Sequence, residues 1–427
     1  MARLVFATHT ARGHVVPLMS VARELIRRGH EVTWYTGEPY RRHVERSGAT
    51  YAAPRRGRLT NYDTMEEDHP EITAMTPVQR ASWYMDQARA VPSEGQFHDL
   101  VSIVGDVQAD VIVADNGFWA VNMVHDKLGT PWATVCQTAM SLPDPELGPF
   151  GLGLQPGDPL IARIKENSAR GGRTEGIFAA ARERMNGIRA GLGLPASTGE
   201  PPSPFLFLQA TSPSFEYPRQ NLLPQVHFVG PLLPDPLPSD SFPEWWSELD
   251  GELPVVLVTQ GTLAKQYEDL IAPTVRSLAA DDVLVVVTTG RDGADIGVHP
   301  LPSNVRVAGF LPYNELLPKV AVMVTNGGYG AVQQALSHGV PLVLGSISDD
   351  KPETNARVAW CGAGIDLKTQ QPSQEEVGAA VRKVLGDGGY RDGARRIASE
   401  FAEYDGPVLA AELLERLVAT RQPVLRS

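Results

Sequence analysis

The fold of this chain is decided by residues 322–367, VMVTNGGYGAVQQALSHGVPLVLGSISDDKPETNARVAWCGAGIDL. The apolar residues 322–325 predict a short buried strand, and the glycine-rich run at residues 326–330 interrupts it with flexible backbone. The next residues follow a helical period as far as Gly339, and residues 341–344 predict another strand. Because the first turn of a helix offers free N–H groups at its positive end, the glycine run predicts an anion site, most simply for a phosphate.

A polar cluster follows the second of these strands. Open α/β sheets bind ligands at the carboxyl ends of their strands, so this cluster is a candidate ligand site. Its members are Ser346, Ser348, Asp349, Asp350 and Lys351.

The stretch resembles the donor-binding signature of inverting, nucleotide-sugar-dependent glycosyltransferases of the GT-B fold. That family includes UDP-glycosyltransferases and bacterial macrolide and polyketide glycosyltransferases. Its pattern is His-Gly-Gly-x-Gly, then an acidic or amide residue four positions after the last glycine, then Gly-Val-Pro and Asp-Gln. The resemblance implies an α/β fold with two Rossmann-like domains facing across a cleft, and a C-terminal helix that crosses back onto the N-terminal domain.

Three residues depart from the family pattern. Asn326 replaces the usual histidine, Gln334 replaces a frequent glutamate, and Lys351 replaces a frequent glutamine. Asn and Gln still form hydrogen bonds without charge. The resemblance implies that the donor is bound by Gly13, Gly261, Thr262, Phe310, Leu311, Asn326, Gly327, Gly328, Gly330, Gln334, Asp350 and Lys351.

The N-terminal turn resembles the Gly-His-x-x-Pro turn of the same family and places its catalytic base at His14. A neutral imidazole is suited to accept the proton of an attacking hydroxyl near pH 7. Asp115 follows a buried-strand pattern at residues 111–114 and matches the family's second catalytic position. Both residues are expected at carboxyl ends of strands in one parallel sheet, where a carboxylate can orient the imidazole. A packed or helix-capping role for His14 is the alternative.

Two further turns of the second half match the family. Gly261 and Thr262 follow a predicted strand and are placed by the resemblance beside the diphosphate. Phe310 is placed where an aromatic ring stacks on the pyrimidine base, and the backbone of Leu311 is placed at the base edge. An ordinary core aromatic is the alternative for Phe310.

The irregular segments 54–94 and 138–175 are predicted to form the acceptor pocket, because long loops in α/β domains commonly carry binding function. A hydrophobic acceptor needs apolar walls. The candidates are Trp83, Phe118, Trp119 and Met140, and ordinary core packing is the alternative for each.

Length and composition are those of a two-domain globular protein. The chain has 427 residues with a net charge of −12, which argues against a nucleic-acid surface. Its two cysteines are expected to be reduced, and the absence of a signal peptide or apolar span predicts a cytoplasmic protein without a membrane span. The predicted parts are an acceptor-binding domain (1–232), a proline-rich linker (233–252), a donor-binding domain (253–405) and a returning helix (406–427).

The leading hypothesis is an inverting glycosyltransferase that uses a UDP- or dTDP-sugar and a small apolar hydroxyl-bearing acceptor. The sequence lacks the Asp-x-Asp pair of metal-dependent transferases, so we expect no metal and no cofactor beyond the sugar donor as co-substrate. Either a monomer or a homodimer is compatible with the sequence. Two alternatives stay open: a catalytically silent donor-binding partner of another transferase, and a nucleotide-sugar epimerase of the same fold.

Overall fold

A computed structural model of the chain describes residues 1–169, 176–197, 202–235, 242–261 and 266–426. Its strands form two separate sheets in which every neighbouring pair is parallel. Helices flank both sheets, which explains why the central strands consist of uninterrupted apolar residues. The predicted α/β fold with two Rossmann-like domains is therefore confirmed.

The first domain carries a seven-stranded sheet in the order β3-β2-β1-β4-β5-β6-β7. Its strands are β1 (Arg3–Ala7), β2 (Glu31–Tyr35), β3 (Thr50–Ala52), β4 (Val111–Asp115), β5 (Trp132–Cys136), β6 (Leu206–Gln209) and β7 (Val226–Phe228). Its helices are α1 (Arg12–Arg27), α2 (Arg41–Arg46), α3 (Met65–Asp68), α4 (Pro77–Trp83), α5 (Ser93–Val107), α6 (Ala120–Leu128), α7 (Pro159–Ala169) and α8 (Gly176–Gly191).

The second domain carries a six-stranded sheet in the order β10-β9-β8-β11-β12-β13. Its strands are β8 (Val255–Thr259), β9 (Leu284–Thr288), β10 (Val305–Ala308), β11 (Val320–Thr325), β12 (Leu342–Leu344) and β13 (Gly364–Asp366). Its helices are α9 (Ile271–Ser277), α10 (Tyr313–Leu316), α11 (Tyr329–Ser337), α12 (Lys351–Trp360), α13 (Gln374–Gly386) and α14 (Gly388–Phe401).

Shorter helical segments complete the described backbone. A π-helical segment (Tyr84–Ala90) continues α4, and 3₁₀ turns occur at Glu38–Tyr40, Pro70–Ala74, Pro213–Phe215, Glu244–Asp250, Tyr267–Asp269 and Leu317–Lys319. The predicted linker, residues 233–252, is only partly described, and its Trp245 and Trp246 pack against the core of the second domain. The exact domain boundaries stay predictions.

The last helix, α15 (Gly406–Thr420), returns to the first domain as expected. Its apolar stripe, including Leu413, Leu414 and Leu417, is buried in the same core cluster as Leu18 and Leu25 of α1. The side chain of Asp405 caps its start by accepting from the N–H of Val408 at 3.3 Å. Fully burying each leucine stabilises the fold by about 1.5–3 kcal/mol, so this packing fixes the helix on the first domain.

The two domains contact each other near the carboxyl ends of their strands. Gln209 of β6 donates to the hydroxyl of Tyr329 at 3.4 Å, and the Thr211 hydroxyl donates to Gln333 at 3.2 Å. Helix α1, which follows β1, also contacts α11, which follows β11, so the carboxyl ends of these two strands face the same cleft between the domains. Within the described ranges, no helix has the length and apolarity needed to cross a membrane.

Candidate active site

A histidine and a buried aspartate form a hydrogen-bonded pair at the edge of the first sheet. Strands β1 and β4 are neighbours with Ala7 opposite Ala114, so the residues that follow both strands meet at the same edge. His14, in the first turn of α1, lies with Nδ1 2.9 Å from Oδ2 of Asp115. The His14 side chain keeps 17% of its surface exposed whereas that of Asp115 is fully buried. The structure thus brings together the two predicted catalytic residues.

The Asp115 carboxylate has an asymmetric environment. Its Oδ2 also accepts from the backbone N–H of His9 at 2.8 Å, whereas in the described part of the chain Oδ1 has no hydrogen-bond partner. Burial alone would raise the pKa of Asp115, but the neighbouring His9 and His14 and their hydrogen bonds hold that pKa below its usual value. The group is therefore ionised at neutral pH and available to stabilise a positive imidazole.

His9 is a second histidine beside this pair. Its Nε2 lies 3.1 Å from the carbonyl oxygen of Gly117 and 3.7 Å from Oδ1 of Asp115. Burial lowers the pKa of His9 to about 3, although Asp115 acts in the opposite direction. His9 is therefore neutral at physiological pH and donates from Nε2 to Gly117. Sequence reasoning missed it, although its position just after β1 is the signal that could have identified it.

An aromatic wall lies beside the histidines, within the segment 54–94 that was predicted to form part of the acceptor pocket. The Tyr62 ring is 5.2 Å from that of His9 and 6.3 Å from that of His14, measured between centroids. Tyr84 stacks on Tyr62 at 5.2 Å, and the guanidinium of Arg89 lies 5.1 Å from the Tyr84 ring centre. Both tyrosines come from the irregular segment 54–94, so this segment supplies an aromatic surface close to His14.

The predicted acceptor residues occupy different environments. Trp83 ends α4 and is half-buried, with its ring 4.9 Å from that of His69. The side chains of Phe118, Trp119 and Met140 are only 3%, 8% and 1% exposed and pack in core clusters. The structure therefore places these three in the core, the alternative considered for them, and does not bring them together in an open wall. The roles of these residues in acceptor binding stay predictions.

The predicted phosphate turn lies between β11 and α11. Strands β8 and β11 are neighbours with Thr259 opposite Thr325, so the turns that follow them lie side by side. The amide of Asn326 donates to the backbone oxygen of Gln260 at 2.6 Å, and its Oδ1 accepts from the N–H of Gly328 at 3.3 Å. Asn326 therefore ties together the two turns that were predicted to surround the diphosphate.

Two positions in these turns have a backbone conformation that favours glycine. Gly261 has φ of +77° and Gly327 has φ of +88°, both in the left-handed region. A Cβ built on Gly327 would lie 1.7 Å from Oδ1 of Asn355, whereas no described atom lies within 4 Å of one built on Gly330. The exposed Gly330, in the first turn of α11, leaves the backbone there open to a ligand.

The other residues predicted to bind the donor differ in exposure and in hydrogen bonding. Gln334, half-exposed on α11, donates to the carbonyl of Gly330 at 3.1 Å. Gly13 is exposed in the first turn of α1, close to His14. Thr262 lies outside the described residues. Beyond residues 262–265, the described backbone resumes with a 3₁₀ turn at Tyr267–Asp269, and α9 begins at Ile271.

Phe310 and Leu311 differ in exposure. Phe310 is 54% exposed, unlike a core aromatic, whereas Leu311 is 4% exposed and packs in the core of the second domain. Gly309 permits close backbone packing, since a Cβ there would lie 2.2 Å from Oδ1 of Asp292. The structure therefore presents the Phe310 ring on the surface and leaves Leu311 only its backbone for a ligand contact.

Several charged side chains cluster around the start of α12. Lys351 pairs with Asp349 at 2.8 Å, and Arg80 of the first domain approaches Asp349 to 3.8 Å. Burial raises the pKa of Asp350, whereas Lys351 lowers that of Asp349. The structure thus places Asp350 and Lys351 where the second domain meets residues of the first, as a site between the domains requires.

Comparison with known proteins agrees with this geometry. Residues 273–419 match the family described as erythromycin biosynthesis protein CIII-like, C-terminal domain. The 4'-demethylrebeccamycin synthase of Lentzea aerocolonigenes is 39% identical over 98% of this chain and 100% of its own. UDP-glycosyltransferase 2 of Phaeomoniella chlamydospora is 31% identical over 97% of this chain and 96% of its own.

Solved structures share the whole architecture. A calicheamicin glycosyltransferase superposes with a TM-score of 0.77 at 21% identity, over 99% of this chain and 100% of its own. The glycosyltransferase of kitacinnamycin superposes with a TM-score of 0.75 at 20% identity, over 98% and 99% of the two chains.

Two parallel-sheet domains with a cleft between them define the GT-B class of glycosyltransferases. Within that class, the chain belongs to the family of UDP-glycosyltransferases and bacterial macrolide and polyketide glycosyltransferases. It is therefore a glycosyltransferase, and the remaining questions concern its donor, its acceptor and the residues that catalyse the transfer.

Proposed function

We propose that this glycosyltransferase moves the sugar of a UDP- or dTDP-sugar to a hydroxyl of a small apolar acceptor, with inversion at the anomeric carbon. The observation that carries the proposal is the 2.9 Å hydrogen bond between Nδ1 of His14 and the buried Asp115. Because a carboxylate only accepts hydrogen bonds, Nδ1 carries the proton and Nε2 is left to accept one. His14 then acts as the general base on the attacking hydroxyl.

Asp115 supports this step in two ways. Its Oδ2 holds the imidazole in the tautomer that the reaction needs, and its negative charge stabilises the imidazolium formed as the hydroxyl loses its proton. The backbone N–H of His9 fixes the same oxygen at 2.8 Å, so the carboxylate cannot easily turn away. A single displacement by the activated hydroxyl inverts the anomeric carbon.

The leaving diphosphate is stabilised from the second domain. Negative charge develops on the leaving oxygen, and preorganised N–H groups at the start of α11 favour that charge. Asn326, which replaces the family's histidine, joins the two turns through Gln260 and Gly328 rather than adding a positive charge. Catalysis on the donor side therefore depends on backbone dipoles and neutral hydrogen bonds.

Two features support the proposed substrates. The exposed Phe310 ring offers a platform for the nucleotide base, and relatives named UDP-glycosyltransferase or UDP-glucosyltransferase support a UDP-sugar donor. Tyr62 and Tyr84 present aromatic surface close to His14. Together with the similarity to a 4'-demethylrebeccamycin synthase, they support an apolar natural-product or xenobiotic aglycone as acceptor.

We further propose that transfer requires neither a metal nor a cofactor. The chain lacks an Asp-x-Asp motif, and within the described ranges no group of three His, Cys, Asp or Glu side chains is placed to hold a metal ion. The helix start and the turn at Asn326 supply the stabilisation that a metal would otherwise provide.

The test is acceptor-dependent release of nucleoside diphosphate in EDTA. UDP-glucose and dTDP-glucose are each offered with flavonoid, macrolide and polyketide aglycones to wild type, His14→Ala and a control, His30→Ala. His30 also pairs with a carboxylate at 2.9 Å, that of Glu415, but it precedes β2 at the opposite edge of the sheet. We expect His14→Ala to lose about 10²–10⁴-fold in rate and the control to retain its rate.

Other outcomes identify the alternatives. Equal activity of His14→Ala and wild type would refute the role of His14. Donor binding without release across the panel would favour the silent-partner hypothesis, and conversion of the donor without acceptor would favour the epimerase.

A further inference from the structure

Three charged side chains are buried together where α12 meets the first domain. Glu216 of the first domain is 3% exposed, and Glu353 and Arg357 of α12 are 5% and 1% exposed. Buried charges are costly unless they are paired and hydrogen-bonded, so a cluster of this kind needs a complete network. We name these three residues the interdomain clamp.

The network of the clamp is nearly complete. Arg357 donates from Nε to Glu216 at 2.7 Å, from Nη1 to the carboxylate of Glu353 at 2.9 Å, and from Nη2 to the carbonyl of Met140 at 3.3 Å. Glu216 also accepts from the N–H of Met140 at 2.8 Å, and the guanidinium lies 4.3 Å from the ring centre of Tyr217. Such a network holds its members in one arrangement.

Glu353 extends the network to a loop of the first domain. Its Oε1 accepts from the N–H groups of Gly151 and Gly153 at 2.8 and 2.9 Å. The side chain of Gln155 donates to the carbonyl of Ala356, on the next turn of α12, at 3.1 Å. Gly151, Gly153, Gln155 and Met140 all belong to the long connection between β5 and α7, residues 137–158, which we name the β5–α7 loop.

The β5–α7 loop begins beside the catalytic pair. The Gln137 side chain lies 3.4 Å from the carbonyl oxygen of His14, and Asn116, which follows Asp115, donates to the hydroxyl of Thr138 at 3.3 Å. The loop therefore runs from the proposed base to α12.

Helix α12, which the β5–α7 loop contacts, begins at the proposed donor site. Helix α12 begins at Lys351, directly after Asp350, so Glu353 lies in its first turn. One rigid helix thus carries the residues expected to contact the donor sugar and the residue that fixes the first-domain loop. A shift of the loop relative to α12 would change the distance between the acceptor and the donor sugar.

We propose that Glu353 and Arg357 are positioning residues that hold the β5–α7 loop against the donor-side helix and so set how the acceptor approaches the sugar. This inference rests on the proposed function, because it assumes that His14 receives an acceptor beside that loop. It assigns neither residue a contact with substrate. The loss of the clamp should weaken acceptor use and leave nucleotide binding, which takes place elsewhere on the second domain, unchanged.

The test uses Glu353→Gln in the full chain. The amide can keep one oxygen on Gly151 and Gly153, but it then turns its own N–H donors toward those of Arg357. We expect hydrogen exchange in a peptide covering residues 148–156 to accelerate at least about tenfold. The KM for acceptor should rise about tenfold, while the Kd for UDP stays within about twofold of wild type.

The control and a second variant separate positioning from general stability. Asp126→Asn makes the same chemical change beside another buried arginine, Arg189, away from the cleft in the first domain. It should alter neither loop exchange nor the KM for acceptor. Glu216→Gln weakens the clamp from the first domain. It should also accelerate hydrogen exchange in the loop and raise the KM for acceptor, as Glu353→Gln does.

Two results would overturn the inference. Unchanged loop exchange in both clamp variants would show that the clamp does not hold the loop. Faster loop exchange with unchanged acceptor kinetics would show that the loop does not position the acceptor. If wild type transfers no sugar to any acceptor, the proposed function fails separately, and loop exchange still decides whether Glu353 holds the loop.

Discussion

Replacing Asp115 with asparagine tests the electrostatic part of the mechanism with almost no change in shape. The asparagine oxygen can keep the contacts that Oδ2 makes with the N–H of His9 at 2.8 Å and Nδ1 of His14 at 2.9 Å. What is lost is the negative charge beside the imidazolium that forms during proton transfer. At about 4 Å between charge centres and an effective dielectric constant near 20, that attraction is about 4 kcal/mol.

This energy sets the size of the expected effect. A loss of about 4 kcal/mol in the transition state lowers the rate roughly a thousandfold, and the retained hydrogen bonds make this an upper value. We therefore expect the kcat of Asp115→Asn to fall about 10²–10³-fold, with the Kd for nucleoside diphosphate unchanged because we propose that the diphosphate is bound chiefly by the second domain. Initial rates at saturating donor and acceptor, together with calorimetry of UDP binding, measure both quantities.

A combined variant provides the refutation. If Asp115 acts only through His14, adding Asp115→Asn to His14→Ala should slow the reaction little further. The reasoning is refuted if Asp115→Asn keeps more than about a third of wild-type kcat, or if the two substitutions multiply in their effects.

Three other perturbations test separate parts of the site. Gly327→Ala forces a Cβ to within 1.7 Å of Asn355, so the Kd for UDP should rise about tenfold or more, whereas Gly330→Ala meets no described atom within 4 Å and should affect it less; calorimetry compares them. His9 has a pKa of about 3 in the fold and about 6.5 unfolded, so the unfolded chain binds the extra proton and the free energy of unfolding should fall below pH 6.5 by up to about 1.4 kcal/mol per pH unit. Urea unfolding at pH 7 and pH 5.5 should show a smaller decrease for His9→Gln than for wild type. Phe310→Ala should weaken UDP binding about three- to tenfold without lowering Tm, because the ring is 54% exposed and contributes little to the core.

The proximity of His14 and Asp115 was predictable because it depends on topology. His14 and Asp115 follow strands that pair in parallel, and parallel strands present their carboxyl ends at one edge, so proximity follows once both strands are recognised. The turn at Asn326 was predictable for the same reason, since its partner Gln260 follows the neighbouring strand.

Residues in long connections were not predictable in this way. Met140 lies in an irregular segment, where no period indicates which side chains turn inward, and the structure buries it. Glu353 and Arg357 have the i, i+4 spacing of an ordinary exposed ion pair, but in the structure both are buried and hydrogen-bonded to residues of the first domain. Contacts between domains depend on tertiary packing that a local sequence pattern does not contain.

The return of α15 has a consequence for how the protein is made. The core around α1 contains residues from Ala2 to Leu232 and then from Ala410 to Val424, so almost the whole second domain is synthesised between two parts of one core. During synthesis the apolar face of α1 lacks its partner α15 until the second domain has been synthesised, and the second domain can pack earlier. The domain translated first is therefore the one whose core is completed last.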